Sequence, residues 1–196
     1  MPSRSSDPFG AALEAALGEV LAAVAALDSE RPRVLIDGRS GAGKTTLAAL
    51  LAGRWPLERA PRVVAMDDFY PGWDGLAAAS RMLVTGVLEP HARGLLGLYR
   101  RWDWAQDRPR SMRDAGLVPP DRPLIVEGCG ALTPLSLVLV DLAVWVDAPE
   151  PSRRARALER DGDGYAPHWE RWARQEEEHI AAHRPHELAD LAFDLP

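Results

Sequence analysis

From Asp7 to Leu27, the apolar residues Leu13, Leu17, Val20, Leu21 and Val24 recur at helical spacing. Asp7 stands where an N-cap belongs and Pro8 suits a first turn, so this stretch predicts a helix. Arg33–Asp37 (RVLID) is a short apolar run closed by glycine, the pattern of a buried strand. Helical spacing returns at Lys44–Arg54, and Arg62–Met66 (RVVAM) predicts a second strand. Leu124–Val126 predicts a third strand, Leu142–Val146 a fourth and Leu191–Phe193 a short last one. Pro151–Arg160 and Pro167–Arg184 read as charged helices, the second ended by Pro185. Residues 68–122 are the least regular. There Leu76–Leu83 and Leu95–Tyr99 read as helical, and Arg108–Arg122, with Pro109, Pro119 and Pro120, reads as loop.

Short apolar strands alternating with helices predict an α/β fold. The expected form is a three-layer α/β/α domain over residues 1–196, with a parallel sheet of about five strands. The segment 68–122 is too long for an ordinary connection, so it is expected to be an insertion that binds a substrate.

Charge and composition narrow this picture. The chain of 196 residues carries a formal charge of −6, which gives no electrostatic footprint for nucleic acid. A single cysteine, Cys129, excludes an intrachain disulfide. No apolar run is read as reaching the roughly 18 residues a membrane span needs. Glu14 and Glu19 also interrupt the N-terminal stretch, so a cytoplasmic protein without membrane partners is expected. The basic residues are 22 Arg and one Lys, Lys44, and Asn is absent, which excludes the Asn-Lys-x-Asp guanine-reading motif.

That one lysine lies in Gly38-Arg39-Ser40-Gly41-Ala42-Gly43-Lys44-Thr45-Thr46, a G-x-x-x-x-G-K-[ST] match between a strand and a helix. Glycines let backbone N–H groups turn towards phosphate oxygens, and the helix N-terminus adds its positive end. Lys44 suits the β- and γ-phosphates as a compact charge, and Thr45 offers a hydroxyl to Mg²⁺. Ligands of such sheets bind beyond the C-terminal strand ends. Asp67 and Asp68 follow the second strand, Glu127 the third and Asp147 the fourth. Asp67 or Asp68 suits proton acceptance, Glu127 suits metal or substrate orientation, and Asp147 suits a cap.

The ordered motifs IDGRSGAGKTT, MDDFY, LIVEG and VDAPEPSRRARALERD resemble the uridine kinase and phosphoribulokinase group of P-loop kinases, over most of residues 33–161. In uridine kinases a Val-Asp strand end is followed by Arg six residues on and Arg-Asp at thirteen and fourteen; Asp147, Arg153, Arg160 and Asp161 keep that spacing. The resemblance implies that Asp67 is the catalytic base, that Asp68 and Tyr70 sit near the acceptor, and that residues 150–165 form a lid. It also implies that Arg153, Arg156 and Arg160 meet ATP phosphates, with Lys44 and Arg160 aiding catalysis. Independently, offsets of 0, 3 and 7 put the three arginines on one helical face. Trp102-Asp103-Trp104 resembles the family's Tyr-Asp-aromatic acceptor segment. The family's following base-reading His is replaced by Asp107.

The resulting expectation is an ATP- and Mg²⁺-dependent kinase of a small-molecule hydroxyl, nucleoside-like, with Thr45 and Glu127 at the metal. A homo-oligomer is left open. Two alternatives remain. A nucleoside monophosphate kinase would use Arg81, Arg93, Arg100, Arg101, Arg108 or Arg110 for an acceptor phosphate. A nucleotide-binding switch or ATPase would need no acceptor. On the last helix, Trp169, Trp172, Glu176 and His179 share a face that could wall a substrate pocket but is more readily expected to pack in the core. His179 and His183 have metal-pair spacing without a third ligand.

Overall fold

The structure, a computed structural model, describes residues 7–196. In chain order the elements begin with helix α1 (Pro8–Ala25), strand β1 (Arg33–Gly38), α2 (Lys44–Gly53) and β2 (Arg62–Ala65). Helix α3 (Leu76–Met82) runs through a wider π-turn stretch, Leu83–Leu88, into α4 (Glu89–Ala92). Short strands follow: β3 (Gly97–Tyr99), β4 (Trp102–Asp103), β5 (Arg108–Pro109) and β6 (Gly116–Val118). The chain then forms β7 (Leu124–Glu127), α5 (Pro134–Leu137), β8 (Leu142–Asp147), α6 (Glu150–Asp161), α7 (Trp169–His183), α8 (Pro185–Leu188) and β9 (Leu191–Asp194).

Five strands form one parallel sheet in the order β2-β7-β1-β8-β9. Strands β1, β7 and β8 are almost wholly buried because helices cover both faces, which is why they read as unbroken apolar runs. Alternation along β1 separates the two faces. Leu35 packs with Val64, Val126, Leu83, Leu88 and Trp172 on one side. Val34 and Ile36 pack with Leu17, Val20, Leu47, Leu51 and Val144 on the other. This is the expected three-layer α/β/α fold.

Helix α1 starts where Asp7 accepts the Phe9 N–H at 3.1 Å, as its N-cap position requires. Its 18 residues have a mean hydropathy of 1.4, so by length and composition it could cross a membrane. The expectation that no run is long enough is thus corrected: alanines keep the average high despite Glu14 and Glu19. Here the helix lays Leu13, Leu17, Val20 and Val24 into the core between α2 and the sheet.

The irregular segment departs most from expectation. Leu95–Tyr99 is not helical; its end forms β3, paired antiparallel with β6, where Gly97 faces Val118 and Tyr99 faces Gly116. A second small hairpin pairs β4 with β5. The stretch 108–122 is therefore partly strand. Its periodicity is too short to reveal pairing that depends on residues some twenty positions apart, a tertiary override of local propensity.

Candidate active site

The cradle motif folds as its glycines dictate. Gly41 has φ +76°, and a Cβ there would come 2.1 Å from the Arg153 carbonyl oxygen of α6. Only glycine admits both that conformation and that approach. Gly41→Ala is therefore expected to displace the loop and to weaken nucleotide binding at least tenfold, measured by titration with a fluorescent ATP analogue. Helix α2 starts directly at Lys44 with no side-chain cap, which leaves its first amides available to an anion.

Lys44 is buried. Its Nζ donates to the Arg39 carbonyl at 2.9 Å and lies 3.4 Å from Cys129 Sγ. Burial opposes its charge, but Cys129, Glu127, Glu176 and Asp37 together hold its pKa above the ordinary lysine value. Thr45 Oγ1 donates to Glu127 Oε2 at 3.2 Å. Glu127, at the end of β7, is raised to about 7, chiefly by burial and then by the neighbouring Asp67 carboxylate; Lys44 and Thr45 act against the shift. Asp67 is solvent-accessible within the cleft, and its pKa is also raised by the low-dielectric walls, with Lys44 and Arg160 opposing.

Two crowded, raised carboxylates beside a threonine hydroxyl are an arrangement that a divalent cation would relieve. The donors suit Mg²⁺, which takes one or two protein oxygens and leaves the rest to water and phosphate. His179, by contrast, turns its Nε2 to Asp37 Oδ2 at 3.1 Å, deep inside the protein.

Asp67 and Glu127 share one cleft of about 830 Å³ with Ser40, Gly41, Lys44, Thr45, Arg160 and Asp161. Asp68 also reaches it, tethered by Tyr99 Oη at 3.0 Å and by Arg101 at 3.6 Å. Tyr70 forms part of the floor and donates to the Cys129 carbonyl at 2.8 Å. Asp147 does not cap α6, whose N-cap is Pro149 without a side-chain bond; its carboxylate accepts the adjacent Ala148 N–H at 2.8 Å and pairs with Arg153 and Arg39.

Several expected site residues lie elsewhere. Trp102 and Asp103 do not line the cleft; Asp103 accepts the Gln106 N–H within the β4–β5 hairpin and pairs with Arg110 at 3.7 Å. Trp104 takes the cleft position instead, its Nε1 donating to the Asp67 carbonyl at 2.8 Å. Arg153 is buried, donating to the Ala148 and Ser40 carbonyls and pairing with Asp147 at 3.4 Å, so it braces the phosphate loop from behind. Of the three lid arginines, Arg160 faces the cleft, bonded through Nε and Nη2 to Asp161. Arg156 lines a neighbouring cavity. Within the cradle, Arg39 points away to Glu177 (2.5 Å) and Asp147 (3.5 Å), and Ala42 is core. Gly38 lies at the strand end, while Gly43 and Thr46 face Arg156's cavity.

Several contacts were not foreseen from the sequence. Asp37, fully buried, accepts the backbone N–H groups of Gly38, Gly130 and Leu132 at 2.6, 2.9 and 2.7 Å. It thereby ties the cradle to the loop after β7. Glu176 of α7 accepts the Ser40 N–H at 2.6 Å and lies 3.2 Å from Cys129 Sγ. Tyr165 Oη donates to Ser40 Oγ at 2.9 Å. Trp73, Trp104, Tyr165, His168 and Trp172 wall the cleft, with Trp73 stacked on His168 at 4.1 Å and 12°. A charged residue closing RVLID was a usable signal for Asp37. Nothing local marks Trp73 or His168.

The pKa of Glu127 makes a stability prediction. A buried acid with a folded pKa near 7 leaves the native state holding a proton that the unfolded chain has lost, so its contribution to stability falls as pH rises from about 4.5 through 7. Glu127→Gln is expected to raise the melting temperature at pH 8 by on the order of 5 °C. The gain should vanish near pH 4.5, as paired thermal melts at the two pH values would show.

No family model matches the chain, and no curated protein matches it by sequence. Solved structures do. A possible uridine kinase from Bacillus stearothermophilus superposes with a TM-score of 0.67 at 18% identity, over 93% of this chain and 99% of that one. A candidate fructose transport system kinase from Silicibacter sp. TM1040 gives 0.56 at 25% identity, over 92% and 98%. The fold is thus that of the uridine kinase-like group of P-loop kinases, along nearly the whole length of both chains.

Proposed function

We propose that this protein is an ATP- and Mg²⁺-dependent kinase acting on a hydroxyl of a small, ring-bearing molecule that carries no negative charge, within one soluble, cytoplasmic domain. One observation carries the reading: Asp67, Glu127, Thr45, Lys44 and Arg160 converge on a single aromatic-walled cleft that opens from the phosphate cradle.

Asp67 orients the acceptor hydroxyl and takes its proton as the oxygen–phosphorus bond forms and the bond from the γ-phosphorus to the bridging oxygen breaks. Lys44 and Arg160 balance charge on the transferred phosphoryl group, and the burial of Lys44 strengthens its part. Thr45 and Glu127 would hold Mg²⁺, which neutralises phosphate charge when bound. Trp73, Trp104 and Trp172 exclude water and offer flat faces to a ring. No step needs a covalent enzyme intermediate.

The acceptor side of the cleft argues against a phosphate-bearing acceptor. Arg81, Arg93, Arg100, Arg101, Arg108 and Arg110 do not line it, and Asp67, Asp68, Glu127 and Asp161 do. Arg101 is engaged with Asp68, and Arg100 donates to the Arg110 carbonyl at 2.7 Å. The test is a panel of nucleosides, sugars and nucleoside monophosphates scored for acceptor-stimulated ADP release. A neutral ring-bearing alcohol should stimulate turnover and monophosphates should not. Constant ATPase activity with every compound would favour a nucleotide switch.

A further inference from the structure

Five of the eight large apolar side chains that stand exposed among the described residues fall in one small part of the chain. They are Leu95, Leu96, Leu98, Met112 and Leu117, each between 44% and 54% accessible. Alternation along the β3–β6 ribbon explains why they gather. Gly97, Tyr99, Gly116 and Val118 turn inward, where Tyr99 and Val118 join the core. Leu98 and Leu117 stand directly opposite each other in the register and turn outward. Leu96 lies two residues before Leu98, on the same alternation. An antiparallel ribbon with one face in the core ordinarily shows polar residues on the other. Here it shows leucines, and none of them lines the catalytic cleft.

The charge around this face is as uneven. Between positions 93 and 113 the chain carries six arginines against two aspartates, within a protein whose net charge is −6. Arg100 follows Leu98 by two positions and is exposed, as are Arg93, Arg108 and Arg113. Among the described residues, the ion pairs of this segment are Arg101 with Asp68 and Arg110 with Asp103, which leaves those four arginines without an acidic partner.

We infer that the outer face of the β3–β6 ribbon docks on an anionic lipid surface. The leucines enter the boundary between headgroups and acyl chains, and the arginines meet the lipid phosphates and carboxylates. Such a peripheral contact needs no spanning segment. Charge selects this occupant over a second copy, because a two-fold contact through the leucines would set two arginine-rich rims against each other. Size selects it over a folded protein. Five apolar side chains are far fewer than the roughly 20–30 residues a side of a stable protein interface, whereas a fluid lipid surface needs no complementary shape. The docked ribbon lies directly behind the cleft, since Tyr99 of its buried face donates to Asp68 at 3.0 Å.

The test is co-sedimentation of the full chain with vesicles of phosphatidylcholine alone, and of phosphatidylcholine and phosphatidylserine at two to one. The mixed vesicles are expected to bind at least about tenfold more tightly than the neutral ones, an advantage that shrinks at about 0.5 M salt. Leu98→Ser/Leu117→Ser should weaken binding to the mixed vesicles about tenfold. Arg93→Gln/Arg113→Gln should cut the preference for phosphatidylserine by about tenfold. Both double variants should bind ATP as the wild type does, because neither touches the cradle or the cleft. A wild-type chain that ignores the mixed vesicles overturns the inference, as does either double variant binding them as the wild type does. A dimer seen by sedimentation velocity and dissociated by Leu98→Ser/Leu117→Ser also overturns it, and gives the face to a second copy. Melting is measured for every variant; if the leucine pair melts early, the arginine pair and the neutral vesicles still decide.

Discussion

Replacing Asp67 with alanine is expected to abolish phosphoryl transfer, by about 10³-fold or more, while ATP affinity changes less than threefold. Asp67 lies in the cleft beyond the cradle, at the end of the second strand, where only an acceptor hydroxyl would need it. Its backbone is held independently of its carboxylate, since the Asp67 carbonyl accepts from Trp104 and Tyr70 donates its backbone N–H to Met66 at 3.1 Å. Removing the carboxylate therefore leaves the loop in place. Its raised pKa sets the pH profile as well: Asp67 must be ionised to accept a proton, so activity should rise with pH along the acid limb and plateau once it is deprotonated. Asp67→Asn should flatten that limb. A variant that loses ATP binding and transfer equally would sink the assigned role.

Lys44→Arg conserves charge and should nevertheless lose at least 99% of activity, measured as acceptor-stimulated ADP release. The reason lies in the packing. Lys44 is buried, with its Nζ between the Arg39 carbonyl and Cys129 Sγ and with Glu127 and Glu176 close by. A guanidinium is larger, planar and needs five donors satisfied, which this pocket does not provide. The substitution would push on Cys129 and through it on Glu176, which holds the Ser40 amide. Affinity for ATP should fall as well, unlike in Asp67→Ala, so the two variants separate phosphate holding from acceptor activation. Lys44→Arg with near-normal turnover would show that the ammonium position carries no special role.

The sheet was legible because its strands are buried on both faces and so read as apolar runs, with each strand end marked by a Gly or an acid. The cradle was legible because its chemistry is local: nine consecutive residues make the turn and open the helix. The aromatic wall of the cleft was not. Trp73, Trp104 and the His168–Trp172 segment come from three separate stretches and meet only because α7 packs back over the cleft. Trp102 and Trp104 are two residues apart and equally aromatic; the turn of the β4–β5 hairpin decides which of them faces the cleft.

The arginines of α6 divide the same way. Their helical spacing correctly placed Arg153, Arg156 and Arg160 on one side of α6, but spacing says nothing about depth. Arg153 is buried behind the cradle, Arg156 rests on Phe9, and Arg160 alone of the three lines the aromatic cleft. By itself, then, the sequence determined the layered fold, the phosphate cradle with its one lysine, and the set of acids at the strand ends, because each depends on neighbours in the chain. Only the tertiary structure decided which aromatics line the cleft, which arginine of α6 faces it, and that Asp37 and Glu176 hold the cradle in shape. Those outcomes depend on burial and on hydrogen-bond partners more than a hundred residues away in the chain, such as the Glu176 carboxylate on the Ser40 amide.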